Sequence, residues 1–328
     1  MRKNENYSIF EPMNGIPAIS ICIPAYKNAS YLQRLLNSVA QQRFRNFEVV
    51  LTDDSPDTRV ESLVAAYADK FPLHYHRNTP ALGSPANWNK AIALAKGSWI
   101  KIMHDDDWFT DANSLQLFAD AAAVSRFDFI FSGFTEVELE SGKEHPFVIS
   151  KIDAWLLRRN PLYLFRTNYI GHPSTTLIRN KQQQWFDERV KWVVDFECYI
   201  RLLRQCGGFY SIAQPLIAIG VGAAQITKES FRNPAVEIPE SLYLLERLGL
   251  SALRNVFVHD YFWRLLRNLG MANGMSLQQY APGVIVPKHL LRMLRWQQLA
   301  GQGLMRRSGL YSKCWMLAHW CFSCLRGA

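Results

Sequence analysis

Acidic residues are missing from one whole end of this 328-residue chain: none occurs in residues 261–328. Lys and Arg number nine there, so that stretch carries the entire formal charge of +9, and the residues before it balance 28 basic against 28 acidic side chains. Long apolar runs are missing too. No segment approaches the roughly twenty consecutive apolar residues that span a bilayer, and residues 1–7 lead into no signal-peptide core. The expectation is a cytoplasmic protein. Cysteine is sparse, with six at scattered positions, which fits reduced thiols and excludes a dense disulfide framework. Cys314, His319, Cys321 and Cys324 nominally offer four zinc ligands, but their spacing lacks the long loop that usually separates ligand pairs. The sequence shows no internal repeat and no low-complexity tract.

What is present begins with three adjacent carboxylates. Asp105, Asp106 and Asp107 follow residues 98–104, SWIKIMH, an apolar-rich run that reads as a buried strand with an abrupt acidic end. Like charges this close are costly to hold at a strand end unless a cation or strong donors offset them. An isolated Asp-Asp-Asp is usually a solvated loop, but the residues upstream argue otherwise. ISICI at residues 19–23 reads as a strand ending at Pro24, Ala25, Tyr26, Lys27 and Asn28, a breaker cluster that also offers a helix cap. FEVVL at residues 47–51 reads as another, ending at Thr52, Asp53, Asp54 and Ser55, and residues 73–76 as a third. Between them, helical spacing runs through Tyr31, Leu32, Leu35, Leu36 and Val39, then Val60, Leu63, Val64 and Tyr67, then Trp88, Ile92 and Leu94.

Strict alternation of strand and helix predicts a parallel sheet with helices on both faces, and ligands that bind beyond the carboxyl ends of its strands. Tyr26, Asp54 and Asp106 then face one crevice. Tyr26 can stack on a flat base, and Asp53 or Asp54 can accept from a base or ribose. The acidic triplet, made of hard oxygen ligands, suits Mg²⁺ or Mn²⁺ holding a diphosphate.

In this order, Pro24-Ala25-Tyr26, Asp53-Asp54-Ser55, Asp105-Asp106-Asp107 and a helix opening at Val194-Asp195 and running to Arg201-Leu202 resemble the family 2 glycosyltransferases of the GT-A fold. The resemblance covers about the first two-thirds of the chain. It implies an α/β GT-A fold, a Rossmann-like, mostly parallel sheet flanked by helices, over residues 18–235. An extension at residues 1–17 precedes it, and a basic, Trp-rich helical region at residues 236–328 follows. The implied reaction is an inverting transfer of a sugar from a UDP, dTDP or GDP sugar to a hydroxyl of a glycan or lipid-linked acceptor. Polysaccharide, lipopolysaccharide or glycolipid biosynthesis is the implied setting. Pro24, Tyr26, Asp53, Asp54, Asn89, Lys90, Asp105, Asp106 and His172 are the implied nucleotide-sugar contacts. Asp106 leads the implied metal ligands, ahead of Asp105 and Asp107, with Mn²⁺ or Mg²⁺ stabilising the departing diphosphate. Asp195 is the implied general base.

Two departures from the family pattern stand out. In Asn87-Trp88-Asn89-Lys90, Trp88 occupies a position where many members carry Arg, which leaves Lys90, Lys101 or a residue from elsewhere to supply that charge. One alignment also puts His104 at the first metal-motif position. From position alone, Asp195 equally fits a helix N-terminal aspartate facing free backbone donors, and Glu197 is a substitute base on another face of the helix. His172, between Gly171 and Pro173, either caps a turn or touches diphosphate or acceptor. Gln225, Thr227 and Lys228 lie in a glycine-containing stretch that reads as a substrate-closing loop or a plain linker.

The acid-free end carries Trp263, Trp296, Trp315 and Trp320, with Leu290, Leu291, Leu294 and Leu299 at amphipathic spacing. Basic groups mixed with Trp and Leu fit peripheral contact with an anionic membrane surface, here the cytoplasmic face of the inner membrane. A helical subdomain packed on the catalytic domain accounts for the same pattern. Nucleic acid suits it less, because residues 314–322 are too apolar for a typical nucleic-acid arm. Two rival functions fit the crevice. A nucleotidyltransferase would place a glycine-rich basic loop after the first strand, where Pro24 to Asn28 has no glycine. A non-catalytic nucleotide or nucleic-acid binder would not need Asp195.

Overall fold

The computed structural model describes residues 15–181, 185–222 and 231–325. The chain divides into two compact units, one taking the residues up to 151 with 170–188 and 202–222, the other residues 152–169, 189–201 and those from 223 onward. The boundary expected near residue 235 is thus simpler than what the chain does, because two internal segments join the C-terminal residues in the second unit.

The first unit is built on one nine-stranded sheet. Its elements are β1 (Ile19–Ala25), α1 (Ala29–Ala40), β2 (Phe47–Asp53), α2 (Arg59–Ala65), β3 (Leu73–Arg77), α3 (Ala86–Leu94), β4 (Trp99–Ile102), β5 (Asp107–Phe109), α4 (Ser114–Val124), β6 (Phe129–Glu138), β7 (Glu144–Phe147), β8 (Thr176–Arg179) and β9 (Tyr210–Val221). The strand order is β3-β2-β1-β4-β8-β6-β9-β5, with β7 on β6. Pairing is parallel from β3 through β4 and between β6 and β9, and antiparallel elsewhere. Every residue of β1 and β2 is buried, which is why both read as unbroken rather than alternating apolar runs.

Local chemistry sets the helix starts and the strand register. Asn28 accepts from Tyr31 N at 3.3 Å and caps α1, whose Leu32, Leu35, Leu36 and Val39 make one buried stripe. Glu48, on the otherwise apolar β2, is buried and accepts from Ser20 Oγ, Lys96 N and Gly97 N at 2.6, 2.7 and 3.2 Å. Those bonds tie β1, β2 and the approach to β4 together at the end of the strands opposite the acidic residues.

The second unit is helical. Its elements are α5 (Lys151–Arg159), the start of α6 (Val194–Cys206), α7 (Pro234–Leu248), α8 (Val256–Asn268), α9 (Gly274–Tyr280), α10 (Lys288–Ala300), α11 (Gln302–Arg307) and α12 (Gly309–Leu325). Trp263 is buried in it, and Trp296 meets Trp315 edge-on at 5.9 Å, both of them half-buried. On α12 the usual polarity is inverted: Ser312, Met316, His319 and Ser323 point inward, while Leu310, Leu317 and Leu325 are 78%, 40% and 88% exposed. Cys314, Cys321 and Cys324 are exposed and His319 is buried, so the four nominal zinc ligands of the sequence do not face a common point. The helical period puts the three cysteines on one exposed face of α12 and His319 on the opposite, inward one. Among the described residues, no helix is long and apolar enough to cross a membrane.

Candidate active site

Register brings the acidic strand ends together. Ala25 lies beside Asp53 across the β1–β2 ladder, Asp54 N donates to Ala25 O at 3.1 Å, and Met103 N extends β4 along β1 by donating to Cys22 O at 2.9 Å. Tyr26, Asp53, Asp54 and the residues from His104 to Asp107 therefore all follow strand ends on one side of the sheet. Pro24 is buried within β1, and Tyr26 beyond it is 45% exposed.

The two aspartates after β2 are anchored by donors. Asp53 accepts from Ser55 N and from the Tyr75 hydroxyl, both at 2.8 Å. Asp54 accepts from Asn78 Nδ2, Leu82 N and Gly83 N at 2.8, 3.0 and 2.7 Å, which folds the loop after β3 over the strand end. Asp53 is fully buried and Asp54 5% exposed, so these bonds fix the floor of the crevice, and only the acceptor positions left on Asp54 border solvent. The Tyr26 loop is pinned on two sides, by Tyr26 N donating to Asp105 Oδ2 at 3.1 Å and Lys27 N to Ser55 Oγ at 2.7 Å. Lys27 adopts a φ of 62°, a left-handed conformation uncommon for a residue with a Cβ. Its ammonium lies 4.6 Å from the Tyr26 ring centre.

The acidic triplet separates into different roles. Asp105, half-buried, faces the Tyr26 loop, and burial together with Asp106 and Asp107 pushes its pKa up to about 8 against the pull of Tyr26 N. Asp107 opens β5 opposite Ile219 of β9 and is 1% exposed, so the triplet ends in a buried strand rather than a solvated loop. Both its carboxylate oxygens are buried without a hydrogen-bond partner. Burial and Asp106 raise its pKa well above the carboxylate range, with the nearby Ser174 hydroxyl, Lys101 and Arg34 pulling the other way. One nitrogen of His104 and one oxygen each of Asp106 and Asp107 lie within 4.8 Å of one another.

His104 Nε2 is likewise shut off from solvent with no hydrogen-bond partner. Burial, His172 and Lys101 push the His104 imidazole down to about 3, which keeps it neutral and able to ligate. A divalent cation fits this set: one imidazole and two carboxylates, with three buried acceptor atoms that have no hydrogen-bond partner. Carboxylates suit Mn²⁺ and Mg²⁺ alike, whereas an imidazole favours the transition metal.

The run around Trp88 builds the wall of the site. The Trp88 ring lies 4.5 Å from the His104 ring and meets Phe186 edge-on at 5.0 Å. Asn89, named above as a donor contact, is buried and turned elsewhere: Nδ2 donates to Phe186 O and Glu188 Oε1 at 2.8 and 3.1 Å, and Oδ1 accepts from Phe186 N at 3.1 Å. Asn87 is also buried and donates to Thr52 O at 3.3 Å. Lys90 is exposed. Lys101 is fully buried, donates to Ser174 O and lies 4.8 Å from the Phe118 ring centre, so it supports Asp107 from within the domain instead of reaching a ligand. His104 N donates to Ser174 Oγ at 2.9 Å.

Sequence reasoning missed Arg34. It extends from α1, donates from Nη2 to Asp106 O at 3.0 Å and stacks its guanidinium 3.7 Å from the Trp108 ring centre. Gly220 of β9 makes room for it, because a Cβ there would sit 2.9 Å from Asp106 O and 3.1 Å from Arg34 Nη2. No local motif marks an arginine in mid-helix as part of such a site. His172 precedes a 3-10 turn (Pro173–Thr175) without capping it through its side chain, and it lies close enough to His104 to depress that pKa.

In the second unit, Asp195 sits half-buried in the first turn of α6, while Glu197 is buried and forms a two-pronged pair with Arg201 at 2.9 Å for both bonds. Gln225, Thr227 and Lys228 lie outside the described residues.

Comparison with known proteins decides the family. Residues 20–181 match the model for "Glycosyl transferase family 2". This stretch is a family 2 glycosyltransferase domain. An uncharacterized glycosyltransferase of Rickettsia typhi is 25% identical over 223 residues, 66% of this chain and 68% of that one. The abequosyltransferase RfbV of Salmonella typhimurium is 29% identical over 46% of this chain and 44% of its own. Escherichia coli WcaA, a putative colanic acid biosynthesis glycosyl transferase, is 25% identical over 66% of this chain and 77% of its own. Among solved structures, residues 1–349 of S. aureus TarS in complex with UDP-GlcNAc superpose with a TM-score of 0.62 at 17% identity, covering 94% of this chain and 92% of that one. That likeness shows the GT-A fold of this glycosyltransferase.

The raised carboxylate in the glycosyltransferase site gives a signed prediction. As pH rises from about 4, the unfolded chain loses the Asp107 proton before the folded chain does, so metal-free stability falls. Asp107→Asn removes that cost. In EDTA at pH 8 its melting temperature is expected to lie about 2–4 °C above wild type, the equivalent of about 1 kcal/mol, and the gain should vanish toward pH 4. Saturating Mn²⁺ should reverse the order. A lower melting temperature for the variant in EDTA at pH 8 contradicts the assignment.

Proposed function

We propose that this glycosyltransferase moves a sugar, with inversion, from a nucleoside diphosphate sugar to an acceptor hydroxyl in the synthesis of a cell-surface polysaccharide or glycolipid. The grouping of His104, Asp106 and Asp107 at the strand ends of a family 2 domain carries this reading. Those three residues would hold a Mn²⁺ or Mg²⁺ ion, which when bound neutralises the diphosphate as it departs. Tyr26 stacks on the base, Asp54 uses its remaining acceptor positions on base or ribose, and Arg34 and Lys27 add positive charge on the same side. His172 contacts diphosphate or acceptor. UDP is the first donor to test, since TarS is solved with UDP-GlcNAc and with UDP.

Asp195 takes the acceptor proton as the glycosidic bond forms. Glu197, the other carboxylate of that helix turn, is committed to Arg201. Asp195→Asn is expected to lower kcat by about 10²–10⁴-fold with donor affinity unchanged; near-normal turnover would remove the assignment, and a matching loss in Glu197→Gln would shift the role.

Peripheral membrane contact is the second element of the proposal. The exposed Leu310, Leu317 and Leu325 of α12 share an acid-free segment with Arg306, Arg307 and Lys313, a combination suited to anionic lipid. The full chain should float with vesicles containing phosphatidylglycerol, and the variant with all three leucines changed to Gln should not. Equal flotation of the two, or none for either, refutes the contact.

A further inference from the structure

Three histidines from three helices meet inside the helical unit, where nothing in the transferase reaction requires them. His259 of α8, His289 of α10 and His319 of α12 are 0%, 8% and 0% exposed. A ring nitrogen of each lies within 4.8 Å of those of the other two. The ring centres are 5.0, 5.1 and 5.4 Å apart.

A count of protons shows how poorly hydrogen bonding alone accounts for this cluster. His259 Nε2 and His319 Nδ1 are 3.0 Å apart, and His259 Nδ1 lies 3.3 Å from both His289 Nε2 and the Leu253 carbonyl oxygen. Each such contact needs one proton and one lone pair, and a neutral imidazole has one of each. His319 Nε2 is then left buried with no hydrogen-bond partner. Ser323, one helical turn further along the same inward face of α12, has a buried hydroxyl in the same condition. Buried polar atoms are almost always paired, and orphans close together call for an explanation.

We propose that His259, His289 and His319 form a structural site for a zinc-class transition metal ion, with water or another small donor completing the fourth position. Nitrogen ligands about 2.0–2.1 Å from a tetrahedral zinc are separated by about 3.3 Å; with Nδ1 of His259 turned to the Leu253 carbonyl, its Nε2 is the ligand, 3.0 Å from His319 Nδ1, and one nitrogen from each of the three rings falls within 4.8 Å of the other two. The Leu253 carbonyl beside His259 Nδ1 is the kind of outer partner that fixes the tautomer of a ligating histidine. Burial holds His259 and His289 down to about 4 and His319 to about 3, helped by the neighbouring histidines at His259 and His319 and by Arg292 at His289, so all three are in the neutral form that binds metal. Arg292 faces the cluster and opposes a cation. Asp260, next to His259, counters it, although it also pairs with Arg264 and Lys313 at 3.1 and 2.9 Å. An ion here would join α8, α10 and α12, the helices that bear the exposed leucines and basic residues of the C-terminal segment.

The test uses full-length protein purified without a histidine tag and exposed in turn to Zn²⁺ and Co²⁺. After desalting, one equivalent of zinc is expected in Asp106→Ala, which removes a ligand of the other candidate site, and at least one in wild type. His289→Gln/His319→Gln should lose that equivalent and melt several degrees lower in zinc. Cobalt-loaded wild type and Asp106→Ala should show the intense visible bands of a four- or five-coordinate nitrogen site, a reading that decides the matter even if the double variant does not fold. Zinc retention in wild type no greater than in the folded double variant, or only the weak bands of six-coordinate cobalt, would leave the cluster as a hydrogen-bonded core and overturn the proposal.

Discussion

Carboxylates packed side by side and out of water cannot all stay ionised without a counter-charge, and the catalytic end of this protein is organised around that constraint. The acidic triplet follows β4 because the strand delivers it there, and each carboxylate then meets a different fate. Asp105 takes a backbone donor from the Tyr26 loop. Asp107 is buried in β5 near the Lys101 amine, whose charge burial opposes and Asp107 favours, and Arg34 reaches across from α1 to the Asp106 carbonyl. Burial first, and then mutual repulsion, holds the Asp105 and Asp107 protons to unusually high pH in spite of the positive groups around the triplet. A site with that residual need for positive charge is suited to a divalent ion, and hence to a substrate bearing a diphosphate.

The residues beside the triplet follow from the same constraint. A neutral imidazole costs less to place next to the aspartates than a fourth carboxylate would, and His104 is kept neutral by burial and held by the Trp88 ring. Trp88 thus shapes the wall beside His104, and the positive groups next to the triplet and the Tyr26 loop are those of Arg34 and Lys27. Asn89 and Asn87 secure the wall behind it with side-chain bonds to backbone.

The N-terminal fold was largely legible. Ile19–Ala25, Phe47–Asp53 and Trp99–Ile102 emerge within two residues of where the apolar runs end, because a strand buried on both faces has no polar face to blur its limits, whereas Leu73–Arg77 is an edge strand with His74, His76 and Arg77 exposed. The crevice was legible for the same reason, since breakers and acids mark the strand ends. Contacts remote in sequence were not. Nothing local shows that Asp107 pairs with Ile219, that Arg34 meets Asp106, or that His259, His289 and His319 share one space. Asn89 read as a ligand contact because its chain neighbours suggested it, but its partners lie 97 and 99 residues away. The Glu197–Arg201 pair, at helical i,i+4 spacing, is legible in the sequence and separates Glu197 from Asp195.

The central claim is that His104, Asp106 and Asp107 hold a divalent ion that completes a nucleotide-sugar site. Calorimetric titration of UDP, GDP and dTDP, each with and without Mn²⁺, into wild type and Asp106→Ala tests it most directly. The account predicts Mn²⁺-dependent binding of one nucleotide by wild type and its loss in the variant. Binding that is indifferent to Mn²⁺ and to Asp106, or absent for every nucleotide, would contradict it.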